Sequence, residues 1–199
     1  MFKHKLNPDG SLERYKARWV VRGFTQRAGV DFKETFTPVV KPATVRTVLA
    51  IAASKQWPTR QFDVSNAFLH GHLDEFVLCQ QPIGFVHAER PQAVCRLDES
   101  LYGLRQAPRA WFTRFATYVV RLGFQATRSD SSLFVLRRGS DVAYLLLYVD
   151  DMVITASSSS LLHQIIHALR SEFAVKDMGD LCFFLGIDVQ CMAAGFYLF

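Results

Sequence analysis

The sequence has little with which to brace itself covalently. Its four cysteines, Cys79, Cys95, Cys182 and Cys191, contain no CxxC pair and are too sparse for a disulfide scaffold. The expectation is an intracellular protein with reduced thiols. Long hydrophobic runs are missing too. The longest uncharged apolar stretch near the centre, Val142 to Val149, has eight residues, and a membrane helix needs about 20. No membrane partner is expected. The N-terminal MFKHKLNPDG lacks the apolar core of a secretion signal, so the protein is not expected to be secreted. No GxxxxGK[ST] phosphate loop occurs. No Ser-His-Asp or Cys-His grouping has a distinguishing context.

Acidic charge is scarce at one end. Residues 1–46 carry ten basic and four acidic side chains, a net of +6, while the other 153 residues carry 13 and 14, a net of −1. A basic segment attracts polyanions by counterion release, although a solvated basic face would read the same. What is abundant is apolar: half of the 199 residues are hydrophobic, with 17 Phe. That excludes an intrinsically disordered chain, and the length suits one large or two small domains.

Periodicity places the elements. Asn7-Pro8-Asp9-Gly10 predicts a turn in a two-stranded unit over residues 1–24, with Arg18 to Arg22 strand-like. A loop follows over 25–41. Val45, Val48, Leu49 and Ala52 recur at helical spacing, and Trp57-Pro58 ends that helix. Thr59 to Val64 reads as a strand, with Ser65 or Asn66 capping a further turn. Another strand is expected within Glu75 to Gln80, then loop over 83–92. Pro108 opens a helix with the stripe Trp111, Phe115, Tyr118, Val119 and Leu122. Leu133 to Arg137, Val142 to Val149 and Met152 to Thr155 are strands. Ser157 to Ser160 caps a helix that buries Leu161, Leu162, Ile165, Ile166, Leu169 and Phe173. Cys182 to Val189 is read as one last strand. This mixture predicts an α+β fold, with helices on one face of a largely antiparallel sheet.

Asp150 and Asp151 stand between two apolar strands. Adjacent carboxylates buried there repel and take up protons unless a cation offsets them, and hard oxygen ligands favour Mg²⁺ or Mn²⁺. A solvent-exposed Asp-Asp turn would look the same. Asp63, at the end of its own strand, is the natural third carboxylate. Three such groups around two cations are the apparatus of phosphoryl or nucleotidyl transfer. His163 and His167, and His70 with His72, have metal-compatible spacing but no placed partner.

Tyr148-Val149-Asp150-Asp151 resembles the YxDD box of reverse transcriptases. Nearly the whole chain resembles the copia-type branch of LTR-retrotransposon polymerases. The stretches that carry it are Tyr15-Lys-Ala-Arg18 with Gly23-Phe-Thr-Gln26; Glu34-Thr-Phe-Thr-Pro-Val-Val40; Gln61-Phe-Asp-Val-Ser-Asn-Ala-Phe-Leu-His-Gly71; Ser100-Leu-Tyr-Gly-Leu-Arg-Gln-Ala-Pro-Arg-Ala-Trp111; and Phe183-Phe-Leu-Gly-Ile187.

The resemblance implies a reverse-transcriptase-like palm with a partial fingers subdomain. Residues 1–58 would be the basic fingers-like part, 59–82 the palm motif with the first Asp, 83–107 a connection and 108–199 the rest of the palm. It implies RNA-directed DNA polymerase activity, in which a primer 3′-OH takes a nucleotide from a dNTP on an RNA or DNA template. Asp63, Asp150 and Asp151 fall on the catalytic, metal-binding aspartates for two Mg²⁺ or Mn²⁺ ions, with Val64 a backbone ligand. Phe68 falls on the aromatic that excludes a ribose 2′-OH. Tyr102, Gly103 and Gln106, with the cations Lys16, Arg18 and Arg22, would meet the incoming nucleotide. Trp111 reads as helix packing. Leu185 and Gly186, and the strand Gly195 to Phe199, resemble the primer grip. Lys176 would protonate pyrophosphate, or be a solvated loop lysine. Thumb, RNase H and integrase regions are not recognised here, so other parts of a polyprotein are expected partners, in a cytoplasmic particle or the nucleus. The alternative is a catalytically silent retrotransposon remnant that at most binds nucleic acid.

Overall fold

The long helices and the central strands form where turn signals and apolar spacing agree. The computed structural model describes residues 2–192 and 195–198. In chain order the strands and α-helices are β1 (Phe2–Leu6), β2 (Leu12–Ala17), α1 (Pro42–Ser54), β3 (Thr59–Val64), β4 (His72–Gln80), β5 (Val94–Glu99), α2 (Ala107–Arg121), β6 (Gln125–Ala126), β7 (Leu133–Arg138), β8 (Asp141–Tyr148), β9 (Asp151–Ala156), α3 (Ser159–Glu172), β10 (Val175–Asp180), β11 (Phe183–Phe184), β12 (Ile187–Met192) and β13 (Gly195–Leu198), with short 3-10 turns at Gly23–Thr25 and Ala67–His70. Two compact units result: residues 1–36 with 68–111, and residues 37–67 with 112–199. Among the described residues no helix is long and apolar enough to cross a membrane.

The first unit holds two antiparallel ribbons, β1–β2 and β4–β5. Its core is small: Val77, Leu97, Leu104 and Ala107, with Val21, Phe68, Leu73, Cys79 and Leu101 packed against them. Trp111 is buried, with the His70 ring 5.8 Å away and tilted against it, as helix packing requires. Two expectations are corrected. Arg18 to Arg22 is not a strand; only Val20 makes a bridge, to Tyr102. Arg18 and Arg22 therefore lie beyond the N-terminal hairpin, and only Lys16 is within it. β5 emerges where only connection was expected, although Cys95 and Leu97 alternate inward between exposed Val94, Arg96 and Asp98.

The second unit is built on an antiparallel sheet of order β10-β3-β9-β8-β7-β6. β8 and β9 lie at its middle. Leu145, Leu146, Leu147, Met152, Val153 and Ile154 are all buried, so these strands read as unbroken apolar runs and do not alternate. Both faces are covered, which corrects the expectation of helices on one. Val45, Val48 and Leu49 of α1 pack with Leu146 and Val153. On the opposite face Phe115 of α2 meets Phe134, the cross-strand partner of Leu145, at 6.2 Å, and Phe173 at 5.6 Å. The Tyr118 hydroxyl donates to the Ala168 carbonyl at 2.6 Å, joining α2 to α3. Ser158 caps α3 by accepting from the Leu161 amide.

β10 was not expected at all. Its Val-Lys-Asp-Met-Gly-Asp sequence reads as polar because it is an edge strand, paired only to β3. The expected strand Cys182 to Val189 is instead β11, a turn at Leu185-Gly186 and β12. Both turn residues have positive φ, 53° and 80°, as a tight hairpin requires. β13 covers most of the expected strand at Gly195 to Phe199, and Phe199 lies outside the described residues.

Candidate active site

The sequence-predicted residues fall into two constellations, one in each unit. In the second unit the register does the assembling. β3 and β9 pair antiparallel with Asp63 opposite Asp151, and β8 and β9 pair with Tyr148 opposite Asp151. Val149 and Asp150 form the two-residue connection between β8 and β9. The Val64 amide donates to the Asp150 carbonyl at 2.8 Å, tying that turn to the end of β3. Val149 holds φ at 54°. For a β-branched residue this is a strained conformation, costing about 1–3 kcal/mol, and such strain persists where the surroundings enforce it.

The three carboxylates are half-buried. They stand at the end of a fully buried strand centre in which Phe62, Val64 and Met152 are 0–1% exposed. Burial pushes the Asp151 carboxyl up from its ordinary range, and the neighbouring charges of Asp150 and Asp63 push it further. Like charge has thus been gathered at one spot. Among the described residues no three His, Cys, Asp or Glu stand close enough, as placed, to hold a metal ion. The donor set is nonetheless oxygen only and the register sets its backbone side by side, which fits a hard divalent cation.

Lys176 is on β10, opposite Asp63, and exposed. It is a strand residue, which corrects its placement in a loop. With Ser65, Arg170, Phe173, Ala174 and Val175 it lines an open cavity of about 470 Å³. β10 is held to β3 by Arg60, whose guanidinium donates to both carboxylate oxygens of Asp177 at 3.0 and 3.1 Å. Sequence reasoning missed this clamp, because the polar edge strand that carries Asp177 was itself missed. Leu185 and Gly186 sit at the β11–β12 turn.

In the first unit three of the predicted nucleotide contacts converge. The Arg18 guanidinium lies 4.6 Å from the centre of the Tyr102 ring. The Phe68 ring lies 5.2 Å from the same ring, centroid to centroid, and tilted by 56°. The Val21 amide donates to the Tyr102 carbonyl at 2.9 Å. This approach explains the glycines. A Cβ on Gly103 would meet the Val21 carbonyl oxygen at 2.1 Å, and one on Gly23 would meet the Gly103 oxygen at 1.8 Å. The Ser100 hydroxyl donates to the Phe68 carbonyl and the Ser100 amide to the Gly71 carbonyl, fixing the turn that presents Phe68.

Gln106 is placed differently from the expectation. It is buried, accepts from the Gln26 amide at 3.0 Å and donates to the Asp31 carbonyl at 3.3 Å. Its polar atoms brace the unit's own loop. Gln26 and Arg105, which also binds the Gly23 carbonyl, complete that brace. Arg22 is exposed, and Lys16 is half-buried on β2.

The family described as reverse transcriptase (RNA-dependent DNA polymerase) matches residues 1–199. The chain is 49% identical over 198 residues to the retrovirus-related Pol polyprotein from transposon RE2 of Arabidopsis thaliana, covering 100% of this chain and 14% of that protein. It is 42% identical over 190 residues to the Pol polyprotein from transposon TNT 1-94 of Nicotiana tabacum, covering 95% and 14%. Against the transposon Ty1-H Gag-Pol polyprotein of Saccharomyces cerevisiae the identity is 28% over 182 residues, covering 88% and 9%. The chain thus spans about one seventh of the length of the first two relatives. Antiparallel α+β architecture, the carboxylates at the β8–β9 turn and these likenesses agree: the chain belongs to the reverse transcriptase (RNA-dependent DNA polymerase) family, in its copia-type retrotransposon branch.

Proposed function

We propose that this chain carries out template-directed DNA synthesis, adding dNTPs to a primer 3′-OH on an RNA or DNA template. The observation that carries the reading is the register that sets Asp63 opposite Asp151 and beside the Asp150 turn. In this reading the second unit serves as palm and the first as fingers, which moves residues 37–58 from the fingers of the sequence reading to the palm and 68–82 from its palm to the fingers. Asp63, Asp150 and Asp151, with the Val64 carbonyl as a further oxygen, would hold Mg²⁺ or Mn²⁺. Such cations lower the pKa of an attacking hydroxyl and offset charge on a transferring phosphoryl group.

The chain's own residues do the rest. Phe68, held by Ser100 and packed at a tilt against Tyr102, offers a rigid apolar wall to the sugar. Arg18 and Lys16 offer cations to a triphosphate. Lys176, across the ladder from Asp63, is within one strand of the reacting groups and would supply the proton to pyrophosphate. Leu185-Gly186 would steady the primer end.

The β1–β2 ribbon supports a polyanion partner. Its register sets Lys3 opposite Lys16 and Lys5 opposite Arg14. Like charges directly across a ladder repel, and a nucleic-acid backbone relieves that repulsion. Other segments of a Pol polyprotein, and an intracellular site of action, belong to the same proposal.

The test is primer extension on poly(rA)–oligo(dT) with dTTP and Mg²⁺ or Mn²⁺, with Asp150→Asn alongside. Extension by the natural chain, lost in a folded Asp150→Asn that still binds the duplex, is the expected result. A folded chain that binds the duplex without extending it would give the silent-remnant reading in its place.

A further inference from the structure

A feature that DNA synthesis does not use lies in the first unit. β4 and β5 run in unbroken register over Val77↔Leu97, Leu78↔Arg96, Cys79↔Cys95 and Gln80↔Val94. Two cysteines separated by fifteen residues of chain are therefore direct cross-strand partners. We propose that Cys79 and Cys95 form a redox modification site, a dithiol that closes to an intramolecular disulfide under a peroxide or a disulfide oxidant.

Geometry carries this. Opposed residues on antiparallel strands have Cα atoms about 4.5 or 5.5 Å apart. Both values fall inside the span of about 4.4–6.8 Å that a disulfide bridges without backbone movement. Residues directly opposite also send their side chains to the same face. Here that face is the one bearing Val77 and Leu97, while Leu78 and Arg96 are exposed. Both thiols are free and half-buried, so neither is sealed from a small oxidant. Burial pushes the Cys79 thiol above its ordinary range and the adjacent Cys95 thiol adds to it, which agrees with their pairing and lowers the share of Cys79 thiolate at neutral pH.

The neck of the intervening loop is already closed. The Gln81 side-chain amide donates to the carbonyls of Arg90 at 3.0 Å and Ala93 at 2.9 Å, and its oxygen accepts from the His87 amide at 2.8 Å. The strand positions that carry the two cysteines are held side by side before any bond forms, so closure asks little of the chain.

The step balances. With a peroxide, one thiolate takes an oxygen atom and becomes a sulfenic acid, releasing hydroxide that is protonated to water. The second thiolate attacks that sulfur, the S–S bond forms, and the sulfenic oxygen leaves as a second water. Two electrons pass from the sulfur pair to the peroxide. With a disulfide oxidant, a mixed disulfide forms first, and the second thiolate displaces the oxidant's thiol. A dithiol reductant reverses either route. Cys79 belongs to the same apolar cluster as Phe68, so the bond ties together the ribbon against which Phe68 packs.

The experiment uses the full chain, reduced, freed of reductant and exposed to hydrogen peroxide or oxidised glutathione. Free thiols are counted by alkylation and linked peptides mapped by mass spectrometry without reduction. The expected result is one link joining the Cys79 and Cys95 peptides, no oxidant adduct left on either, and recovery of both thiols with dithiothreitol. A Cys182→Ser/Cys191→Ser double variant gives the same link. Cys79→Ser leaves Cys95 as a glutathione adduct. Four thiols still reactive in a chain folded by circular dichroism, or links only through Cys182, Cys191 or a second chain, would overturn the proposal. The wild-type map suffices even if a variant does not fold, and it is independent of whether the chain extends a primer.

Discussion

Asp151 is the residue at which stability and chemistry pull apart. Its carboxyl is raised by burial and by Asp150 and Asp63, so the folded state binds a proton more readily than the unfolded chain. The sign follows: the penalty is absent below the ordinary carboxylate range and grows as pH rises through the folded value. Asp151→Asn is therefore expected to raise the melting temperature in divalent-free buffer at pH 7. Near pH 3 that gain should shrink towards nothing. The same variant should abolish primer extension. Melting curves by circular dichroism at the two pH values check this, and a neutral-pH melting point below the natural chain's would contradict it. Phe68 supplies a second prediction. Phe68→Ala should bring the incorporation of ribonucleotides nearer to that of dNTPs in single-nucleotide extension. Unchanged discrimination in an active enzyme would remove the role given to its ring beside Tyr102.

Among the elements, α1 depends on a carboxylate far along the chain. Asp130 is 4% exposed. It accepts from the Lys41 amide at 2.9 Å and the Thr44 hydroxyl at 2.6 Å at the start of α1, and from the Ser132 amide at 3.0 Å. Burial opposes its charge, but these donors outweigh it and hold the carboxyl below its usual value. Asp177 is held low in the same sense, burial again opposing, by the Gly179 amide and by Arg60. A lowered carboxyl contributes stability that is present above about pH 4, its unfolded value, and lost as pH falls through the folded one. Asp130→Ala should cost roughly 2–3 kcal/mol, since it strands buried donors, and should flatten the acid limb of a stability–pH curve measured by urea melts. A cost under about 0.5 kcal/mol would show that α1 does not lean on it.

At the scale of the whole molecule, charge is the property that counts. The excess positive charge of residues 1–46 includes the cations that β1 and β2 set opposite one another. Template–primer affinity should fall steeply between about 50 and 200 mM salt. Lys3→Ala with Lys5→Ala should flatten the slope of log affinity against log salt by up to about two, one for each phosphate no longer neutralised. An unchanged slope would remove the β1–β2 ribbon from the interface.

Much of this was legible before any fold was known. Turn signals and apolar spacing placed α1, β3, α3 and the β7–β9 strands, because each buries a run long enough to show its period. Asp150 and Asp151 could be found from their position between two apolar strands. What the sequence could not reveal is which strands lie side by side. β10 hid because an edge strand with one ladder can be polar, and β5 because its exposed face is charged. Helices on both faces of the sheet followed from packing alone, since apolar runs in β8 and β9 do not say what covers them. The pairing of Asp63 with Asp151, 88 positions apart, and of Cys79 with Cys95 was decided by register. Composition and local pattern determined the elements and the residue types available for chemistry. Strand order and register, which local pattern does not encode, determined which of those residues meet.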